Sequence, residues 1–229
     1  MHVVPEHPIP VVPVAGGRGL FPVHRIYCVG RNYAEHAREM GAEVNRETPT
    51  FFMKPADAVW TSDAPIPYPS ATANLHHEVE LVVALKSGGR DIAVDAARDH
   101  VYGYAVGLDL TRRDLQAAAK AKGNPWDVSK GFDASAPISA IEPAERFAWP
   151  PQGRLALSVN GMPRQEADVS TMIFGVAEII AELSRLFELA AGDLIYTGTP
   201  AGVGPLVPGD RFEATFSSQL SLRGALSHR

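Results

Sequence analysis

Two acidic side chains two positions apart, Glu78 and Glu80, open an aliphatic run that continues through Leu81-Val82-Val83-Ala84-Leu85. Its β-branched and aliphatic content predicts a strand. Side chains alternate along a strand, so Glu78 and Glu80 share a face at about 6–7 Å spacing. Val82 and Ala84 continue that face, and Val79, Leu81, Val83 and Leu85 form the other. With both faces apolar, the strand is buried. Two carboxylates at that separation repel by about 2–3 kcal/mol at an effective dielectric near 20. Burial adds a desolvation cost. A divalent cation resolves the conflict, because hard cations take carboxylate oxygens. A third oxygen ligand is available in Asp109, the lone charge in the largely apolar strand predicted over 101–110. A second reading leaves the two glutamates at a solvated strand mouth, with no ion. His76 and His77 are ligands in one reading and ordinary loop or core histidines in the other.

Other residues could do chemistry around such an ion. Asn32 can cap a helix from Tyr33 to Met40 that ends at Gly41. On it His36 and Glu39, three apart, share a face. An imidazole oriented by a carboxylate is the smallest general-base unit, although Glu35, Arg38 and Glu39 could also form a plain solvated face. Thr111 is a candidate cap for a helix from Arg112 to about Ala121, which springs directly from Asp109. Arg113, Gln116 and Lys120 line one side of it; an exposed helical face is the alternative, more for Lys120 than for Arg113. Lys54 ends a short strand and could face the same site. Thr197-Gly198-Thr199-Pro200-Ala201-Gly202-Val203-Gly204 lacks the Lys-Ser/Thr ending of a phosphate loop. It can still present backbone N–H groups and Thr199 to an anion.

The remaining elements must position these groups. Prolines at positions 5, 8, 10, 13 and 22 exclude a helix from residues 1–22 and predict an extended arm on the body or on a neighbouring subunit. Residues 23–229 then form one catalytic domain. Within it Arg25–Val29 reads as a strand, and 42–49 as a polar, mobile loop. Residues 94–100 read as a short helix. Asn160-Gly161 marks a type I′ hairpin between strands 155–159 and 162–165. Apolar periodicity over 172–187 predicts an amphipathic helix, and 211–216 a last strand. The pattern is a β-rich α+β chain.

At 229 residues, 45% hydrophobic and 21% charged, the composition is that of a globular protein with a sizeable core. A net charge of -5 without a basic run argues against nucleic acid and anionic membranes. Cys28, the single cysteine, sits in a predicted buried strand and fits a reducing compartment. With neither a signal-peptide pattern nor a membrane-length apolar run, the cytoplasm is the expected location.

Gly30-Arg31-Asn32-Tyr33, Phe52-Met53-Lys54-Pro55, His77-Glu78-Val79-Glu80-Leu81, Gly107-Leu108-Asp109-Leu110-Thr111 and Thr197-Gly198-Thr199-Pro200 stand in an order that resembles the fumarylacetoacetate hydrolase family. The likeness spans roughly residues 24 to 215 and is specific to the short acylpyruvase and bacterial fumarylpyruvate hydrolase branch. It implies a mixed β-sandwich roll with flanking helices, usually a homodimer. It also implies that Glu78, Glu80 and Asp109 bind a divalent cation, Mg²⁺ first and Mn²⁺ or Ca²⁺ as alternatives. By the same resemblance His36 and Glu39 are the water-activating dyad of a lid helix. Arg113, Gln116, Lys130 and Thr199 match positions that contact substrate or transition state, Lys130 counting with the dyad as catalytic. Arg113, Gln116 and Thr199 would hold the far carboxylate or the developing oxyanion. The tail 217–229 departs from the family's closing strand.

The implied activity is hydrolysis of the carbon–carbon bond of an acylpyruvate, with fumarylpyruvate to fumarate and pyruvate in gentisate catabolism as the leading substrate. Oxaloacetate decarboxylation and dienoic-acid isomerisation are the alternatives within the family, and a silent metal-binding scaffold is the alternative outside it.

Overall fold

The computed structural model describes residues 2–41, 43–44 and 46–227. Two positions of the predicted 42–49 loop, and the last two of the tail, lie outside the described residues. A six-stranded mixed sheet forms the centre. Its order is Glu142–Pro143, Val101–Leu108, Val79–Leu85, Leu194–Tyr196, Ile26–Gly30 and Thr50–Lys54. Leu194–Tyr196 runs parallel to Ile26–Gly30 and antiparallel to Val79–Leu85, which makes the sheet mixed. An antiparallel four-stranded sheet, Met162–Asp168, Arg154–Val159, Arg211–Phe216 and Leu220–Ala225, packs over one face.

Alternation along Val79–Leu85 assigns both faces as expected. Leu81, Val83 and Leu85 join Leu155, Leu157, Phe212 and Phe216 in the core between the two sheets. Val82 and Ala84 enter a second cluster with Ile26, Cys28 and Tyr196 on the opposite face. Every residue of the strand is buried, so the run carries no wet side. Gly103 and Gly107 show why a central strand contains glycine. A Cβ on Gly103 would lie 2.3 Å from the Glu142 carbonyl oxygen, and one on Gly107 would lie 2.7 Å from the Tyr196 ring.

Several boundaries differ from expectation. The predicted arm is not extended throughout. Val11–Pro13 and Leu20–Pro22 pair as an antiparallel hairpin that buries Val12, Val14 and Phe21 in the second cluster. Residues 217–229 do contain a closing strand, because Leu220–Ala225 pairs along the whole of Arg211–Phe216. The first helix is Ala34–Glu39, the amphipathic helix is Val176–Leu186, and the helix of 94–100 shrinks to Ala97–His100. Asn160 and Gly161 both take positive φ, as a type I′ turn requires. Among the described residues no helix is long and apolar enough to cross a membrane.

Candidate metal centre and active site

The strand is interrupted between Leu75–His77 and Val79–Leu85, and Glu78 occupies the interruption. Glu80 points inward two residues later, and Asp109 follows Val101–Leu108, the neighbour that pairs Val79 with Leu108. The fold therefore brings Glu78, Glu80 and Asp109 together: one oxygen from each lies within 4.8 Å of the others, and all three side chains are buried. Neither His76 nor His77 joins them. Arg113 Nε donates to His76 Nδ1 at 3.3 Å, and His77 Nδ1 lies 2.9 Å from Gln165 Oε1.

Buried cations surround two of the three acids. Lys130 Nζ donates to Glu78 Oε2 at 2.8 Å, to Asp109 Oδ2 at 2.5 Å and to Thr111 Oγ1 at 2.7 Å. Lys54 Nζ lies 2.8 Å from Asp109 Oδ1, an ion pair whose angles fall short of a hydrogen bond, so that oxygen keeps a free lone pair. Arg113 pairs with Glu78 through Nη2 and with Gln116 Oε1 through Nη1 at 2.6 Å. Burial opposes ionisation of Glu78, but Lys130 and Arg113 outweigh it and hold the carboxyl well below the usual range. Burial likewise opposes the Lys130 ammonium, and Asp109 and Glu78 outweigh it in the other direction.

Glu80 differs. Its hydrogen-bond donor is the Gly198 N–H, 2.7 Å from Oε2, and among the described residues it has no ion pair. Burial, then the like charges of Asp109 and Glu78, push its pKa well up. A buried carboxylate without a counter-charge, beside an acid oxygen with a free lone pair, is what an oxygen-only cation site looks like before its ion is considered. Gly198 makes the contact possible. Its φ is +100, and a Cβ there would meet Asn32 Cβ at 2.6 Å.

The Ala34–Glu39 helix borders the same cleft. His36 Nδ1 lies 3.1 Å from Glu39 Oε2, and Glu39 also accepts the Gly202 N–H at 3.1 Å. With Nδ1–H donated to a carboxylate, Nε2 is the ring's basic nitrogen. The cleft is lined by His36, Glu78, Glu80, Arg113, Gln116, Lys130 and Thr199 among others, and is narrow, with a cavity volume of about 30 Å³. All the predicted site residues except Glu39 and Asp109 stand on that wall; Glu39 lies behind it on His36, and Asp109 on Lys130.

Two expected helix caps serve other ends. Asn32 accepts from Phe174 N through Oδ1 and donates to the Phe174 and Thr197 carbonyls. Tyr33 occupies the N-cap position instead, without a side-chain bond. Thr111 lies in the short strand Thr111–Arg112, and the helix begins at Arg113.

Gln165 is a member of the site that sequence reasoning missed. It is buried, and its Oε1 accepts from Val79 N at 3.0 Å as well as facing His77. Its Nε2 donates to Thr199 Oγ1 at 2.7 Å and to the Pro200 carbonyl at 2.8 Å. Thr199 therefore keeps its own hydrogen free to donate into the cleft.

Known proteins can now be set beside this geometry. The family described as Fumarylacetoacetate (FAA) hydrolase C-terminal matches residues 25–227. A solved structure, fumarylpyruvate hydrolase from Pseudomonas aeruginosa in complex with Mn²⁺ and pyruvate, superposes with a TM-score of 0.96 at 45% identity and covers 100% of both chains. Mitochondrial oxaloacetate tautomerase FAHD1 of Mus musculus is 47% identical over 198 residues, which is 86% of this chain and 89% of that one. Oxaloacetate tautomerase YcgM of Escherichia coli K12 is 44% identical over 197 residues, 86% and 90% of the two chains. On the ordered motifs, the matched fold and the buried acid trio together, the chain belongs to the fumarylacetoacetate hydrolase family.

Proposed function

We propose that the protein is a divalent-metal-dependent hydrolase that cleaves an acylpyruvate to pyruvate and a carboxylic acid, with fumarylpyruvate as the leading substrate. The observation that carries the reading is His36, oriented by Glu39, in one cleft with Glu78 and Glu80 of the acid trio. A silent scaffold has no use for that pair. The Pseudomonas likeness, which extends over both chains and has pyruvate bound, supports the hydrolytic choice.

Glu78, Glu80 and Asp109 would hold the cation, Mg²⁺ or Mn²⁺ by the chemistry of three carboxylates. When bound it supplies Lewis-acid polarisation of a 2-oxo acid. His36 Nε2 takes a proton from water, and Glu39 holds Nδ1–H and stabilises the imidazolium that results. The water oxygen attacks the distal carbonyl, the carbon–carbon bond breaks, and pyruvate leaves as its enolate, whose carbon takes back the proton held by the His36 imidazolium. Thr199 Oγ–H and the free amide N–H of Gln116 donate to the oxygen that gains charge in the attack. Lys130, whose three hydrogens all go to protein oxygens, holds Glu78 and Asp109 in register. A homodimer in the cytoplasm belongs to the same proposal.

Oxaloacetate chemistry is the second reading, supported by the tautomerase names of relatives at 44–47% identity. It shares the enolate but needs no attacking water. A panel of fumarylpyruvate, maleylpyruvate, acetylpyruvate and both oxaloacetate tautomers, with and without EDTA, separates the two. Turnover of oxaloacetate alone would overturn hydrolysis, and no turnover of any 2-oxo acid would overturn both.

A further inference from the structure

The cleft contains two cations that the chemistry above does not use. Lys120 and Arg31 both line it, and among the described residues neither has an acidic partner. They differ in this from Arg113, whose guanidinium is spent on Glu78, Gln116 and His76. Lys120 is half-buried at the outer end of the helix face that carries Arg113 and Gln116. Burial, and then the Arg31 and Arg113 guanidiniums, lower its pKa and outweigh the opposing pull of Glu78. Arg31 sits at φ 58, a left-handed backbone uncommon for a residue with a side chain.

Aromatic rings connect these cations to the acid trio. Lys130 Nζ stands 4.8 Å from the centroid of Phe52, Phe52 stands 5.9 Å from Trp126, and Trp126 stands 5.2 Å from Lys120 Nζ. All four line the one cleft. The wall therefore runs cation, ring, ring, cation, with the acid trio at one end and Lys120 at the other.

We propose that Arg31 and Lys120 form a subsite for a second carboxylate, at the far end of a flat acyl chain that lies along Phe52 and Trp126. The preferred substrate is then a dianion. One carboxylate belongs to its 2-oxo acid head, and the other ends a planar, unsaturated tail. Flat tails stack on ring faces without displacing them, and a half-buried ammonium with an exposed guanidinium at the cleft's rim supply charge-assisted donors for the terminal anion. The assignment rests on the hydrolase reading above for the identity of the head, and on Arg31, Lys120 and the two rings for the tail.

The test compares the Mn²⁺-loaded wild type with Lys120→Met and Arg31→Met, substitutions that keep the alkyl stem and remove the charge. The ratio of kcat/KM for fumarylpyruvate to that for acetylpyruvate, which lacks a tail carboxylate, should fall by roughly 10- to 100-fold in each variant. An unchanged ratio would overturn the subsite. Binding is read separately, as the shift in Tm that 2-oxopimelate and its monocarboxylate counterpart 2-oxoheptanoate give to the Mn²⁺-loaded protein. Wild type should favour 2-oxopimelate and the variants should lose that preference. If the wild type cleaves no acylpyruvate, the hydrolase reading fails, and this binding pair alone decides the subsite: a preference lost with the charges upholds it, and no preference in the wild type sinks it.

Discussion

Replacing Lys130 by Met tests the electrostatics of the acid trio directly. In the folded chain Lys130 Nζ is buried and touches both Glu78 and Asp109. Around three carboxylates stand three cations, Lys54, Lys130 and Arg113. Removing one leaves a buried negative charge uncompensated, and breaking a buried pair on one side costs about 3–5 kcal/mol. For a chain of this size each kcal/mol moves Tm by about 2–4 °C, so the metal-free variant should melt roughly 6–20 °C below wild type. A divalent cation supplies the missing charge and, in wild type, must work against the ammonium beside it. Saturating Mn²⁺ should therefore close at least half of that gap, and the variant should gain more Tm from metal than wild type does. Thermal melts of both proteins in EDTA and in Mn²⁺ give the four numbers of a cycle. If the difference between wild type and variant is the same in EDTA and in Mn²⁺, Lys130 and the cation do not share the same carboxylates, and the placement of the ion in the trio is refuted.

Glu39→Gln should lower kcat for an acylpyruvate by about 10²-fold or more, because the imidazolium loses its counter-charge; Mn²⁺ affinity by calorimetry should not move, and a loss there would mean that Glu39 serves the metal instead. Gln165→Leu removes a side chain that bonds His77, Val79 N, Thr199 and Pro200, so urea melts should show a loss of about 3–5 kcal/mol. A loss below about 1 kcal/mol would show that water replaces those bonds. Burial pushes the Cys28 thiol well up and leaves it without exposed surface, so a thiol reagent at pH 8 should modify it only in denaturant; labelling of the native protein would contradict the placement of its strand. EDTA should abolish turnover and added Mn²⁺ or Mg²⁺ should restore it, whereas undiminished turnover after chelation would remove the metal from the reaction.

The acid trio was legible because its signal is local. Period-two alternation set Glu78 and Glu80 on one side of a strand whose other residues are aliphatic, and Asp109 was a lone charge in its own apolar run. The pairing of Val79 with Leu108 then does what neither run announces, bringing Asp109 beside Glu78. Misreadings arose where a local preference lost to a distant partner. Asn32 and Thr111 are good caps by type, but Asn32 is claimed by Phe174 and Thr197, and Thr111 by Lys130. Gln165 left no signal, since its partners His77 and Val79 lie more than eighty positions away. Among the described residues of 1–22 the prolines leave no α-helix, only a 3-10 turn at Ala15–Gly17, but they do not forbid a hairpin, which Gly16, Gly17 and Gly19 allow by taking positive φ at its turn.

Charge explains why such a costly cluster is arranged as it is. Without an ion, three acids and three cations nearly balance, and Glu80 carries the residual conflict because its hydrogen-bond donor is a backbone N–H and not a cation. A divalent cation against Glu80 ends that conflict and tips the whole cleft positive, since Lys54, Lys130 and Arg113 stay in place and Arg31 and Lys120 add to them. An excess of positive charge in a partly closed cleft attracts an anion before any specific contact forms. It also favours a dianion over a monoanion, and disfavours neutral ketones altogether. The cations that first stabilise the acids in the empty fold thus become, once the metal arrives, the field that selects a 2-oxo acid.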